Sequence, residues 1–202
     1  MSASTVGQIK NVFRNLTSPL ALDANSMTNA IDYLKRQHRQ VEDLFAKIES
    51  FGNRASKAKF AMFLTLADKV SLHSRLEEGF FYPELKKMDV DLFSEAVEEH
   101  SAVRDLIAKI QKLGPGHETF DAKVKFLKEL IAHHVDKEEG ELFPKWEAEV
   151  SESALHDAGN RMVAAATTTR KKSHSKRAKR PFKEKTNRTA QRDAGKRKRR
   201  AA

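Results

Sequence analysis

The sequence predicts an all-α fold, an up-down-up-down antiparallel four-helix bundle with a disordered basic C-terminal tail. Apolar residues recur at helical spacing in four long segments, and short turns join those segments. No segment shows the two-residue alternation of a half-buried strand. The apolar period ends near residue 167, where the composition changes abruptly. A chain of 202 residues has room for one ordinary domain and an appendage.

The helices can be placed in order along the chain. Residues 1–27 are expected to form a flexible N-terminal arm, because they contain Ser, Thr and Asn and show little periodicity. A first helix is expected to begin near Ser26 or Thr28, both favourable N-caps, and to end at the break over residues 51–54. The next three helices are expected over residues 56–87, 91–113 and 117–149. The bundle then occupies residues 28–150.

The end of the chain differs in charge from the rest. Residues 161–202 hold 17 Lys and Arg but only 2 Asp and Glu, whereas residues 1–160 hold 21 and 26. The protein is therefore a mildly acidic domain with a strongly basic tail. Residues 151–166 are compatible with one more helix, while residues 167–202 carry too little apolar surface to offset the entropy of ordering and are predicted to be disordered.

A mobile array of cations suits phosphate neutralisation, so the tail over residues 167–202 is expected to associate non-specifically with nucleic acid. Its one aromatic residue, Phe182, does not favour base stacking. An anionic membrane surface, an acidic partner, a nuclear address and a purely solubilising role remain alternatives.

Composition also limits the chemistry. The chain has no cysteine, which excludes disulfides, thiolate metal sites and iron–sulfur clusters, so any metal must be bound by His and carboxylate. No apolar run approaches the roughly 18 residues of a membrane span. The N-terminal residues lack the apolar core of a secretory signal, and the cytoplasm is the expected location.

The main functional signal is a doubled phrase. Residues 73–83 and 134–144 both read His-x-x-x-Glu-Glu-Gly-x-x-aromatic-Pro. A second phrase, His-x-x-Val-x-Asp-Leu-x-Ala-Lys-Ile, begins at His38 and again at His100. The offsets are 61 and 62 residues. The chain therefore contains two copies of one helical hairpin.

Each copy brings a potential half-site. Residues four apart lie on one face of a helix, so each His-x-x-x-Glu pair can point at one place. The lone histidine of each copy lies on the partner helix. The candidate metal ligands are then His38, His73, Glu77, His100, His134 and Glu138. Imidazole and carboxylate suit iron, manganese or zinc. Four-helix bundles often hold two ions in this way, with Glu residues between them.

Simpler interpretations exist for each part of this pattern. A lone His is usually a core or boundary residue, and a single His-x-x-x-Glu pair is usually a surface pair. The recurrence of the whole phrase favours a metal site, because burial of these polar groups without a ligand carries a desolvation penalty. Glu42, Asp136 and His133 are lower-ranked candidates to complete the metal shell.

The proline that closes each phrase also has a structural consequence. Pro83 follows Gly79 by four residues, and Pro144 follows Gly140 in the same way. Because a helical proline clashes with the carbonyl four residues earlier, a bend or a helix end is expected just past each proposed carboxylate ligand.

These motifs resemble the hemerythrin-like family, the HHE cation-binding domain, over roughly residues 29–149. The resemblance implies a four-helix bundle with a non-haem di-iron centre that binds dioxygen or a related small ligand, such as nitric oxide or peroxide. It assigns the iron ligands to the same six residues. In oxygen-carrying hemerythrins a second His follows the third-helix His by four residues, and here that position is Arg104. This difference favours sensing, redox reactivity or iron handling over reversible oxygen carriage.

Two function classes follow from this resemblance. The first is a protein that binds or senses a small ligand or handles iron. The second is a di-iron peroxidase or oxidase. A weaker third alternative is an interaction protein whose bundle has lost its metal.

Overall fold

The computed structural model describes residues 29–52 and 55–178, with side chains up to residue 169. The predicted N-terminal arm, residues 1–27, and the last part of the predicted tail lie outside these ranges. Within them, the chain forms helices and no strand, so the all-α prediction is confirmed. No helix among the described residues is both long enough and apolar enough to cross a membrane.

Seven α-helices and two π-helical turns make up the described chain. In chain order they are α1 (Ala30–Ser50), α2 (Ser56–Leu76), π1 (Glu77–Phe81), α3 (Tyr82–Met88), α4 (Val90–Leu113), α5 (Phe120–Lys137), π2 (Glu138–Leu142), α6 (Phe143–Glu149) and α7 (Glu152–Ala178). Asn29 caps α1, since its side chain accepts a hydrogen bond of 2.8 Å from the backbone N–H of Ile31. Asp89 caps α4 in the same manner through the N–H of Leu92.

The doubled Gly-x-x-aromatic-Pro produces the π turns. The backbone N–H of Tyr82 donates to the carbonyl of Glu77, and that of Phe143 to the carbonyl of Glu138, in each case five residues back. The wider turn comes just where the proline, without an N–H and with a bulky ring, disfavours regular α-helical bonding. The expected bend or helix end is therefore an expanded turn, after which the helix continues for seven residues as α3 or α6.

Helix α1 packs against α2, and α4 packs against α5. Their apolar faces form two cores. The first core is built from the C-terminal half of α1, the N-terminal part of α2, the C-terminal half of α4 and the N-terminal half of α5. The second core contains the start of α1, both π turns, α3 and α6, and it includes the large side chains of Phe81, Tyr82, Phe143 and Trp146. Along the chain, one buried histidine from each of α1, α2, α4 and α5 lies between residues of the first core and residues of the second, and these histidines are His38, His73, His100 and His134.

The helix expected over residues 151–166 is the first part of α7. Its side chains Leu155 and Met162 are buried in the second core, and the compact unit that contains both cores ends at Ala166. The helix then continues to Ala178, into the segment for which the sequence predicts disorder. Extending an existing helix needs no new nucleus, and the Lys, Arg and Ala residues of this stretch have high helix propensity.

Candidate metal centre

The structure brings the six predicted ligand residues together in a polar layer inside the protein. Their exposed fractions range from 0% for Glu77 and Glu138 to 6% for His73. The two glutamates are the first residues of π1 and π2, and the histidines come from α1, α2, α4 and α5. The π turns therefore begin at the carboxylates themselves.

The first group of donors consists of His38, His73 and one oxygen from each glutamate. The Nε2 atoms of His38 and His73 are 3.1 Å apart. The Oε1 atom of Glu77 lies 2.9 Å from Nε2 of His73. The Oε2 atom of Glu138 lies 3.3 Å from Nε2 of His38.

The second group is built in the same way from His100, His134 and the other two carboxylate oxygens. The Nε2 atoms of His100 and His134 are 3.2 Å apart. The Oε2 atom of Glu77 lies 3.2 Å from Nε2 of His100, and the Oε1 atom of Glu138 lies 3.2 Å from Nε2 of His134. Each carboxylate thus gives one oxygen to each group, which is the arrangement of a bridging ligand.

The bonding state of these oxygens fits a metal site. All four lie within 3.3 Å of an imidazole nitrogen, yet none has a hydrogen-bond partner in the described chain. Buried carboxylate oxygens without partners carry a large desolvation penalty. Adjacent ligands at bond lengths of about 2.1 Å stand about 3 Å apart around an ion, and the donor spacings match this value. The residues present therefore fit two cations.

A second layer of contacts orients the imidazoles. Every Nδ1 atom of the four rings faces a side-chain oxygen, which leaves Nε2 directed at the centre. The pairs are His38 with Glu139 at 2.7 Å, His73 with Gln37 at 3.1 Å, His100 with Glu78 at 3.1 Å and His134 with Glu99 at 2.7 Å. Glu78 and Glu139, the residues directly after the two donor glutamates, thus each contact one of the histidines.

Two arginines reach the same layer from outside. Arg39 pairs with Glu139 at 2.5 Å, and Arg104 pairs with Glu78. Arg104 therefore stands one contact away from His100 and is half exposed at 50%. Glu42 is also exposed, and it pairs with Arg39 at 2.6 Å. Glu42 follows His38 by four residues, and Arg104 follows His100 by four residues. Neither side chain belongs to the two donor groups.

The other two lower-ranked candidates also lie outside the centre. His133 and Asp136 are exposed on α5, while the adjacent His134 is buried. His134 points into the centre and His133 points to solvent, because neighbouring residues of a helix are rotated by about 100° about its axis.

Mutual electrostatics hold this layer in a charged state in the absence of metal. Burial alone would raise the pKa of Glu77, but the neighbouring His73 and His100 outweigh it and hold the pKa well below the ordinary carboxyl value. Burial and Glu77 oppose ionisation of Glu138, yet its histidine neighbours keep its pKa lowered. Burial disfavours the imidazolium forms of His38 and His134, but the carboxylates around them raise the pKa of both rings.

Two aromatic residues close the centre on the side of the second core. Tyr82 stacks on His100 with ring centroids 5.0 Å apart, and its hydroxyl lies 3.1 Å from Nε2 of that ring. Phe143, the equivalent residue of the other copy, stacks on His38 at 5.8 Å. Burial, followed by the charge of Glu77, raises the pKa of Tyr82.

Sequence reasoning missed four residues that contact the imidazoles: Gln37, Glu99, Tyr82 and Phe143. The signal for the aromatic pair was present, since both close the doubled phrase before its proline. Gln37 and Glu99 are 62 residues apart, the offset that relates His38 to His100. They immediately precede those two histidines but contact the rings of His73 and His134 on the neighbouring helices.

A small cavity adjoins the four rings on the side of the first core. Its volume is about 20 Å³, and the side chains that line it together with the imidazoles are Val41, Val70, Ser74, Val103, Ile131 and Val135. The walls are mainly apolar, and the space suits a molecule of about the size of water.

Comparisons with known proteins agree with this geometry. Residues 29–146 match the family model described as the hemerythrin HHE cation binding domain. The uncharacterized protein Rv2633c of Mycobacterium tuberculosis is 24% identical over 138 residues, which cover 67% of this chain and 84% of that protein. An uncharacterized hemerythrin-like protein of Schizosaccharomyces pombe is 25% identical over 147 residues, 70% of this chain and 71% of that protein.

A solved structure has the same fold. The crystal structure of a hemerythrin HHE cation binding domain-containing protein from Mycobacterium kansasii, a homologue of Rv2633c, aligns with a TM-score of 0.66 at 24% identity. The alignment covers 75% of this chain and 93% of that one.

Proposed function

Because the chain belongs to the hemerythrin HHE cation-binding domain family, we propose that it holds a non-haem di-iron centre which binds or senses dioxygen or a related small ligand. The observation that carries this proposal is the pair of four-donor groups that share Glu77 and Glu138. Two imidazoles and two carboxylate oxygens per ion suit iron, and the absence of cysteine leaves no competing soft ligand.

The residues have separate roles in this proposal. His38 and His73 hold the first ion, His100 and His134 hold the second, and the two glutamates bridge them. The surrounding helices α1, α2, α4 and α5 form the antiparallel four-helix bundle of the family. Iron in this centre would supply one-electron redox chemistry and open coordination positions for dioxygen, nitric oxide or peroxide.

The protein limits which molecules reach the centre. The cavity beside the imidazoles has mainly apolar walls and admits a very small molecule. An apolar pocket of this size favours a diatomic or similarly small ligand over a bulky or strongly hydrated one. Burial of the donors also keeps bulk water away from the two glutamates.

A di-iron peroxidase or oxidase is the alternative function. It is favoured by the small number of protein ligands, since four donors per ion leave coordination positions for a reacting molecule. The position of Arg104 supports this alternative, because its side chain pairs with Glu78 and adds no ligand. An enzyme would consume peroxide continuously in the presence of a reductant, whereas a sensor or carrier would return to its starting spectrum without turnover.

The test of the di-iron proposal is metal analysis with visible spectra after anaerobic reconstitution with ferrous iron. The wild-type protein should bind two irons per chain, and Glu77→Gln should lose both because this carboxylate serves both groups. Glu84→Gln is the matched control, since the side chain of Glu84 is 41% exposed and, among the described residues, its ion pair is with Lys87. An unchanged iron content in Glu77→Gln, with normal helical content by circular dichroism, would reject the ligand set.

The basic segment supports a second part of the proposal, non-specific association with nucleic acid through residues 167–202. Its excess of Lys and Arg predicts binding that weakens steeply as salt is raised. A chain ending at Ala166 keeps the compact unit and should lose salt-sensitive retention on DNA. Equal retention of the full and shortened chains would contradict this assignment.

A further inference from the structure

The two halves of the centre differ in one of the residues that contact the Nδ1 atoms of the imidazoles, and we propose that this difference makes the two iron positions unequal in redox behaviour. Resting on the di-iron assignment, the proposal is that Glu99 lowers the reduction potential of the ion bound by His100 and His134. Gln37, at the equivalent place in the other copy, leaves the ion bound by His38 and His73 at a higher potential. The second position is then oxidised first.

Gln37 and Glu99 occupy equivalent places in the two copies, and the other two Nδ1 contacts are matched between the halves. His38 and His100 each have a glutamate at Nδ1, namely Glu139 and Glu78, and each of those glutamates pairs with an arginine. These two contacts are alike in charge. At the remaining rings, His134 faces the carboxylate of Glu99 at 2.7 Å, whereas His73 faces the side-chain amide oxygen of Gln37 at 3.1 Å.

A carboxylate and an amide act differently on a metal-binding imidazole. Both accept the Nδ1 proton and so fix the tautomer that leaves Nε2 for the ion. The carboxylate draws that proton more strongly, which puts more negative charge on the ring and makes Nε2 a stronger donor. A stronger donor stabilises ferric over ferrous iron. Gln37 gives the orientation without this electronic effect.

The surroundings of Glu99 do not cancel the effect. Lys137 lies 3.5 Å from Oε1 of Glu99, while the hydrogen bond to His134 uses Oε2. The same lysine also pairs with Glu95, which is exposed at 60%, so its charge is shared with a second carboxylate. Glu99 itself is 22% exposed, so water screens its contact with the ring only partly.

Two reciprocal substitutions test the proposal. Glu99→Gln makes the second half resemble the first, and Gln37→Glu makes the first resemble the second. The reconstituted di-ferrous protein is titrated with ferricyanide, which takes one electron from each iron and becomes ferrocyanide. The wild-type protein should oxidise in two separate one-electron steps. Glu99→Gln should bring the steps together and lower the comproportionation constant of the half-oxidised form by about tenfold, the size of many outer-contact effects at metal sites.

Gln37→Glu should lower the potential of the step that belongs to the first position, and the double exchange should restore two separate steps with their order reversed. Mössbauer spectra of the half-oxidised protein report how the ferric iron is distributed between the two positions. The matched control is Glu95→Gln, because Glu95 contacts Lys137 but no histidine in the described chain, and it should move either potential less than Glu99→Gln does.

The outcomes separate this inference from the di-iron assignment. If the wild-type protein fails to bind two irons, the proposed function itself falls. If both irons bind but neither reciprocal variant moves a potential, or Glu95→Gln has an equal effect, the assignment to Glu99 and Gln37 is overturned. If Glu99→Gln loses iron, the potential of the first position in Gln37→Glu decides whether the inference holds. This variant is suitable because it introduces an acid of the kind that the second half already contains.

Discussion

Two adjacent histidines on α5 differ sharply in their surroundings, although they are one residue apart. His134 is 5% exposed and faces both His100 and Glu138, whereas His133 projects into solvent. The doubled phrase identified His134 because it aligns with His73, not because of any property of the residue alone. Duplication therefore supplied information that a single histidine cannot carry.

This pair gives a matched prediction. His134→Ala should lose at least the iron of the second position, because it removes one of the four donors of that group. His133→Ala should keep both irons. Iron-to-protein ratios after reconstitution and desalting measure the difference, and equal losses from the two variants would contradict the assignment of His134.

The outer partners of the rings could not be predicted at the residue scale. Gln37 contacts His73 across 36 positions of sequence, and Glu99 contacts His134 across 35. Such contacts depend on the rotation and height of neighbouring helices, which apolar periodicity leaves undetermined. The six proposed ligands could be predicted from the sequence, because their spacing lies within one helix or repeats between the two copies.

At the scale of elements, the positions of the helices were largely predictable, but the π turns were not. Apolar spacing placed the third helix over residues 91–113, and α4 covers Val90–Leu113. The same spacing cannot distinguish a bend from a turn that closes five residues back. Glu77 and Glu138 begin these turns, so the widened backbone occurs where the two shared carboxylates enter the centre.

The glycines of the π turns lead to a prediction about stability. Gly79 has no positive φ, and a Cβ atom added to it would meet nothing within 4 Å. Gly79→Ala should therefore raise the free energy of unfolding by about 0.4–1 kcal/mol, through the lower entropy of the unfolded chain. Urea unfolding followed by circular dichroism measures the change.

The control for this prediction is another glycine of the same chain. Gly114 follows α4 with φ at 74°, so Gly114→Ala should destabilise the protein by about 1–2 kcal/mol. If Gly79→Ala also destabilised the fold, the prediction would be contradicted. The glycine would then be needed because its carbonyl lies four residues before Pro83, and not merely tolerated in open space.

At the scale of the whole molecule, a charged layer separates two apolar cores. Helices α1, α2 and α4 contribute to both cores, α5 contributes to the first core, and each of the four helices carries one ring of the layer between the cores. The aromatic residues of the second core cover one side of the layer, and the valines around the cavity cover the other. Without metal, protons shared between the imidazoles and carboxylates must balance the charge of this layer.

This balance predicts the pH dependence of the metal-free protein. The pKa of Glu77 and Glu138 is lowered from the ordinary 4.5, so their stabilisation is complete above that value and is lost as the pH falls through the folded pKa. The pKa of His38 and His134 is raised from the ordinary 6.5, so their stabilisation is complete below 6.5 and is lost as the pH rises through the folded pKa. The metal-free protein should therefore be most stable between pH 4.5 and 6.5.

Iron changes the alkaline side of this profile. A bound ion would take the place of the protons on His38 and His134, so the loaded protein should keep its stability as the pH rises. It should lose metal on acidification, because protons compete for the ligands. Urea midpoints of the metal-free and loaded proteins from pH 4 to 9 measure both curves, with His133→Ala expected to follow wild type. Alkaline pH removes the protons that balance the carboxylates of the layer, so the metal-free protein should lose stability above pH 6.5. A steady gain in stability there would show that protonated histidines do not stabilise the layer.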